Sequence, residues 1–187
     1  MRLIGEAVAD FRGETSDVPA EIKIELPVNA HLPHDYVPGE RLRLEAYKKL
    51  ASVEGNEGVD EIEAELRDRY GAPPEPVRNL LEVARLRVVA RQAHIGDIGL
   101  QGKVVRFGPV RDLRESQQLR LQRLYPGTLV KDALGTMLVP APMTSRVGGK
   151  PLRDVEVLAW ARQLITAVLL DDIAAGHAVV SAGAGAS

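Results

Sequence analysis

The sequence predicts an α+β fold, with a helix cluster packed on a small mixed or antiparallel β-sheet and a C-terminal amphipathic helix. Three observations carry that prediction. Apolar residues recur at helical spacing from Gly39 to Ala93, broken at EGNEG and at Gly71. Alternating or β-rich runs occur at 21–26, 103–107, 128–132 and 136–139. Helices and strands do not alternate regularly, which argues against a parallel sheet of βαβ units.

Residues 1–12 (MRLIGEAVADFR) set Leu3, Ile4, Ala7, Val8 and Phe11 at helical spacing before Gly13. A dozen residues is marginal for an isolated helix in water, so this stretch is expected to be the end of a longer one. A polar linker follows to residue 20. EIKIEL then alternates strictly, with Ile22, Ile24 and Leu26 on one face, and reads as a half-buried strand ended by Pro27. Pro27, Pro33 and Pro38 are expected to hold the next loop stiff and extended.

The first of three helices is expected from Gly39 to Val53, with Leu42, Ala46, Leu50 and Val53 as its apolar stripe and Tyr47 beside it. The second spans Val59 to Tyr70, with Val59, Ile62, Leu66 and Tyr70 inward. Gly71 suits the position after its end, because glycine enters left-handed backbone without a Cβ penalty. Pro76 suits the first turn of the third helix, where its missing N–H is not needed. That helix is expected to reach Ala93 with Val77, Leu80, Leu81, Ala84 and Val88 buried.

The second half predicts a strand over Lys103–Phe107 and a short helix in ESQQLRLQRL with Gln117, Leu121 and Leu124 on one stripe. Two further strands, 128–132 and 136–139, turn near Leu134–Gly135 and lead into the loop PAPMTSRVGGKP. A final amphipathic helix from Leu152 to Ile173 carries Val155, Leu158, Ala159, Arg162, Ile165, Val168 and Leu169 around Trp160. Residues 174–187 are rich in Ala, Gly and Ser and are expected to be disordered. The organisation is therefore a linker over 1–20, one domain over 21–173 and a tail over 174–187.

At 187 residues and 45% hydrophobic content, the chain can bury one sizeable core, or one core with a satellite. The absence of cysteine excludes disulfides, thiolate nucleophiles and Cys-based zinc sites, and fits a reducing cytoplasm. No run of about 18 apolar residues and no signal-peptide core occur, so a soluble cytoplasmic protein is expected. The net charge of −2 conceals an asymmetry. Residues 1–77 hold 9 Lys/Arg against 17 Asp/Glu, whereas residues 78–123 hold 10 against 4. Either the fold keeps two faces of opposite potential apart, or the two segments pack together and neutralise each other.

No complete catalytic or cofactor motif is present. His31 and His34 form an H-x-x-H with Asp35 adjacent, but Pro33 opposes the helix that would align them, and a metal site needs three or four convergent ligands. His94 and His177 are isolated. Gly148-Gly149-Lys150 resembles the tail of a P-loop, yet Thr144 stands where its first glycine belongs and Pro151 replaces the magnesium-binding Ser/Thr. Ser116 and Ser145 have no evident histidine partner. The basic segment offers Arg78, Arg85, Arg87, Arg91, Lys103, Arg106, Arg111, Arg114, Arg120 and Arg123 as phosphate contacts. Against nucleic acid stands the lack of aromatic platforms, with Phe107 alone in that region; a solvated face, or one docked on acidic protein, is the alternative. Glu61, Glu65 and Asp68, at i, i+4 and i+7, line up opposite the apolar stripe of the second helix with Arg69 at their edge. Such a row is either an ordinary solvated face or half of a charged interface.

Three blocks decide between these readings: the LP-x-D-Y-[VI]-P loop in LPHDYVP, the helix RLRLEAYKKLAS, and the junction ELRDRYGAPPEP. In this order they resemble the C-terminal domain of the bacterial transcription-repair coupling factor, Mfd, strongly over residues 21–92 and more loosely over 98–171. The resemblance implies a non-catalytic regulatory domain that carries no cofactor. The parent would be an ATP-driven, magnesium-dependent translocase on double-stranded DNA that releases stalled RNA polymerase and recruits excision repair through UvrA. Residues 1–20 would then be the linker from the motor. The domain would act as an autoinhibitory clamp on the N-terminal UvrB-like module of the same protein, masking UvrA binding. Its contacts would map to Glu61, Glu65, Asp68 and Arg69. A nucleic-acid-binding module using the basic segment, or an oligomerisation domain using the final helix and tail, remain the competing classes.

Overall fold

A computed structural model describes residues 22–110 and 113–170. The expected helix over 1–12, its linker, Arg111, the end of the final helix and the tail over 174–187 lie outside the described residues. The elements run β1 (Lys23–Glu25), α1 (Glu40–Ser52), α2 (Asn56–Tyr70), α3 (Glu75–Gln92), β2 (Asp97–Gln101), β3 (Val104–Gly108), α4 (Glu115–Leu124), β4 (Leu129–Lys131), β5 (Thr136–Pro140) and α5 (Asp154–Leu164). A 3-10 turn, Asp132–Leu134, joins β4 to β5, and π-helical residues Ile165–Leu170 extend α5. The fold is α+β, as the sequence predicts.

The sheet is mixed, in the order β1-β2-β3-β5-β4. β1 runs parallel to β2, and the other neighbours are antiparallel. β2 is an addition to the strands expected from the sequence. Its pattern is visible in retrospect, because Ile98 and Leu100 alternate and Gly102, at φ 62°, makes the tight turn back into β3.

Two apolar clusters share one helix. Val83, Leu86 and Ala90 of α3 pack on the sheet cluster with Phe107, Met137, Leu158 and Ile165. Val77, Leu80, Leu81, Ala84 and Val88 face α1, α2 and the 30–37 loop. The inward residues named from the sequence are therefore all buried, and they describe only half of the helix. α3 is buried on nearly all sides because a helix pressed between two layers needs no solvated stripe.

Loop 27–39 is less extended than its prolines suggest. The N–H groups of Tyr36 and Val37 donate to Pro33 O at 3.1 and 3.0 Å, closing a turn that plugs Val37 into the helix cluster beside Leu32. Of the expected stripe of α1, Leu50 is buried and Ala46, Tyr47 and Val53 pack partly buried against the same cluster, but Leu42 remains 39% exposed. On α4, Leu121 is buried and Gln117 partly so, but Leu124 is exposed. The buried face of α5 is rotated from the expected one. Val157, Ala161 and Leu164 point inward with Leu158, Ile165 and Val168, while Val155 and Ala159 face out. Trp160 sets that rotation by packing on Phe107 and Tyr125, each with ring centroids 6.1 Å away. The carbonyls of Ala167 and Val168 in the π-helical turn accept side-chain hydrogen bonds from Arg120 and Gln117, both at 3.1 Å.

Candidate functional site

α2 presents three different faces. Val59, Ile62 and Leu66 fill the helix cluster. Tyr70 continues that face and meets Tyr36, whose hydroxyl donates to Gly71 O at 2.8 Å. Burial pushes the Tyr36 phenol above its ordinary range, opposed by Arg67 and reinforced by Tyr70, so this hydroxyl keeps its proton. Gly71, at φ 89°, donates its N–H to Arg67 O at 3.0 Å and ends the helix as the sequence predicts.

The flank toward α3 is electrically closed. Arg85, only 18% exposed, lies 2.7 Å from Asp60, 3.9 Å from Glu63 and 3.5 Å from Glu82. The acidic and basic segments thus pack side by side here and neutralise each other, one of the two alternatives left open by the charge pattern. The flank toward α1 holds Glu65, 3.3 Å from Lys49 Nζ and 3.8 Å from Arg69 Nε.

Glu61 and Asp68 remain on the outward face, exposed and without an ion pair among the described residues. At roughly 100° per residue, Glu61 and Asp68 differ by only about 20° around the axis, whereas Glu65 is turned about 40–60° from them toward α1. The structure therefore splits the expected acidic row: two bare outward carboxylates, and a third already held by a lysine. Arg69, 58% exposed, lies beyond Glu65 on the side toward α1 and pairs with it. Lys49 and Tyr36 are the residues of this face that sequence reasoning missed. Only knowledge of the α1–α2 pairing would have found Lys49, which is 16 residues from its partner.

The basic segment does not assemble into one surface. Arg91 donates to Val53 O and Ala51 O at the end of α1, and its buried Nε has no partner. Arg106 pairs with Asp97 across the β2–β3 ladder. Arg120 holds Ala167 O, and Arg85 belongs to the α2–α3 network. Arg114 is exposed at the start of α4 and has interactions of its own. Lys103 and Arg123 are exposed without ion pairs among the described residues, while Arg111 lies outside them. These side chains are spread over α3, the sheet and α4, mostly bonded to the protein's own acceptors.

No group of three or more His, Asp or Glu among the described residues is placed to hold a metal ion. His31 Nδ1 lies 3.1 Å from Asn29 Oδ1, and His34 is exposed. Ser145 Oγ donates to Val147 O, and Lys150 N–H donates to Thr144 Oγ1, so the GGK turn is closed on itself. A hollow of about 410 Å³ between the 24–30 segment, α1 and α3 is lined by Ile24, Leu26, Val28 and Leu80, with Tyr47 and Arg87 as its polar groups. It brings no nucleophile together with a base. Among the described residues no helix is long and apolar enough to cross a membrane.

Comparison with known proteins adds a lineage to this geometry. The family described as the TRCF domain matches residues 26–119. A transcription-repair-coupling factor of Mycobacterium bovis is 40% identical over 180 residues, covering 90% of this chain and 14% of that protein. That of Escherichia coli K12 is 37% identical over 89 residues, or 46% of this chain and 8% of its own length. The chain thus spans a small part of each of these relatives. A solved crystal structure, of the C-terminal domain of a transcription-repair coupling factor, superposes with a TM-score of 0.61 over 81% of this chain and 93% of that one, at 18% identity. At that identity the likeness shows the fold alone.

Proposed function

The chain belongs to the TRCF domain family, and from that premise we propose that it is the non-catalytic regulatory domain of a transcription-repair coupling factor, docking through the outward face of α2. In this reading the parent is an ATP-dependent translocase on double-stranded DNA that releases stalled RNA polymerase. Its ATP and magnesium belong to a motor outside this chain. The domain clamps onto the N-terminal UvrB-like module of the same protein, masks the surface that UvrA binds and restrains the motor.

The observation that carries the proposal is the pair of uncompensated carboxylates, Glu61 and Asp68, beside exposed Arg69 on a helix fixed by both its flanks. Burying a bare carboxylate is costly unless it meets a cation, so this face selects a basic partner surface. Arg69 supplies the opposite sign and suits a carboxylate or carbonyl on the partner. Glu65 is already held by Lys49 and Arg69. On docking it either keeps Lys49 or exchanges it for a partner cation, which limits its net contribution to about 0–1 kcal/mol while it stays exposed.

A few contacts of this size hold a closed state by a few kcal/mol. That is weak enough for a ligand with differential affinity to release it. Charge reversal at Asp68 in the full-length protein tests the reading. It is expected to raise basal ATPase and UvrA binding together. Unchanged values for both, with an intact fold, contradict the clamp.

A further inference from the structure

We infer that the end of the sheet carrying the β2–β3 turn is a docking surface for an acidic protein segment with apolar side chains. The topology brings five elements to that end. Lys103, in the β2–β3 turn, accepts Ala141 N–H through its carbonyl at 2.9 Å. β5 finishes there at Pro140, and β4 begins there at Leu129, opposite Leu138. The C-terminus of α4 arrives through Gly127, where an added Cβ would lie 3.2 Å from the Pro140 ring. Loop 141–153 then crosses the same end toward the start of α5.

The charge of this region is one-sided. Between Ser116 and Arg153 the only carboxylate is Asp132, and it follows β4 at the opposite end of the sheet. Lys103, Arg123, Arg146, Lys150 and Arg153 have no ion pair among the described residues. Asp154, at the border, is occupied by Asn29 N–H at 2.8 Å. Glu25, exposed at the end of β1, stands at the far side of this edge across the sheet order. The bare cations gather on the side of β4, β5 and loop 141–153, and there they favour an anionic partner.

Apolar exposure selects the class of that partner. Val147 is 90% exposed, Leu129 60%, Met143 48% and Leu124 47%, all at this end. The loop that presents Val147 is braced: Thr144 N–H donates to Lys150 O, Lys150 N–H donates to Thr144 Oγ1, and Leu152 N–H donates to Pro142 O. A rigid loop that holds an aliphatic side chain in water points to a partner that desolvates it. A phosphate backbone offers nothing for valine, leucine and methionine to cover, whereas the apolar side chains of a peptide do. The surface therefore fits a carboxylate-rich peptide whose apolar residues cover Val147 and Leu129.

The test uses the whole ¹⁵N-labelled chain and three probes. One is an amphipathic helical peptide of about 18 residues, or five turns, built from Glu, Ala and Leu. The second replaces each Leu by Gln, and the third is a DNA duplex of about 20 base pairs. The Leu peptide is expected to shift amides of 102–104, 127–130 and 143–150. The double variant Arg146→Glu, Lys150→Glu is expected to weaken it about tenfold. Val147→Ser and the Gln peptide should each weaken binding several-fold, and the exposed substitutions leave the circular dichroism spectrum unchanged. Shifts centred elsewhere, no binding, or equal binding of the Gln peptide overturn the proposal. So does duplex binding at this end that the double variant removes, which would make it a nucleic-acid surface.

Discussion

Glu65→Lys separates two roles that the acidic helix combines. In the folded chain the Glu65 carboxylate lies 3.3 Å from Lys49 Nζ and 3.8 Å from Arg69 Nε, with its side chain 37% exposed. In bulk water a unit pair at these distances is worth about 1.1–1.3 kcal/mol, and measured exposed pairs give about 0–1 kcal/mol after screening and side-chain ordering. Reversal removes two attractions and places three cations together, so the expected loss is about 1–2 kcal/mol. For a domain of this size that lowers Tm by about 2–8 °C. The assay is thermal denaturation by circular dichroism at low salt and again in 1 M NaCl, where a Debye length of about 3 Å removes most of the difference. Asp68→Lys, which breaks no ion pair and places a cation in the last turn of α2, is expected to stay within about 0.5 kcal/mol of the parent. The reasoning fails if Glu65→Lys melts with the parent at low salt. It also fails if the loss persists in 1 M NaCl, which would make it steric rather than electrostatic.

Three further outcomes follow from the packing. Leu86→Ala empties a fully buried site between α3 and the sheet and is expected to cost about 2–5 kcal/mol in denaturant unfolding, whereas Leu44→Ala, at a site 53% exposed, costs about 0.5 kcal/mol or less. Arg91→Ala leaves the carbonyls of Ala51 and Val53 without their donor; amide exchange at the end of α1 should quicken, with a stability loss of about 1–3 kcal/mol. Burial raises the pKa of Tyr125 above the ordinary 10.0. The neutral phenol is the form the fold favours, so its contribution is complete below the unfolded pKa and fades as pH rises through the folded one. An ultraviolet phenolate titration of the folded chain should show Tyr36 and Tyr125 ionising after free tyrosine, and Tyr125→Phe should reduce the amplitude of that late phase by one phenol.

Local backbone chemistry was the most legible part of the sequence. Gly71 ends α2 and Pro76 opens α3 as expected, because each requirement is written within a few residues. Burial that depends on a second layer was not legible. The pattern of α3 revealed one apolar face, and only the sheet explains why Val83, Leu86 and Ala90 are buried as well. The rotation of α5 depends on where Trp160 finds Phe107 and Tyr125, neither of which is near it in sequence. Spacing placed Glu61, Glu65 and Asp68 on the solvated side of α2. It did not show that Glu65 is claimed by Lys49, or that Arg85 and Arg91 are spent on the chain's own oxygens. Charged side chains reach several ångströms toward partners that tertiary structure alone supplies.

The central claim is that the outward carboxylates of α2 are one half of an intramolecular interface. Calorimetric titration of this domain into the separately produced UvrB-like module tests it most directly, with the parent and Asp68→Lys side by side. The account predicts saturable binding by the parent and its loss in the variant, with both melting alike. Equal binding by the two, or none by the parent, contradicts it.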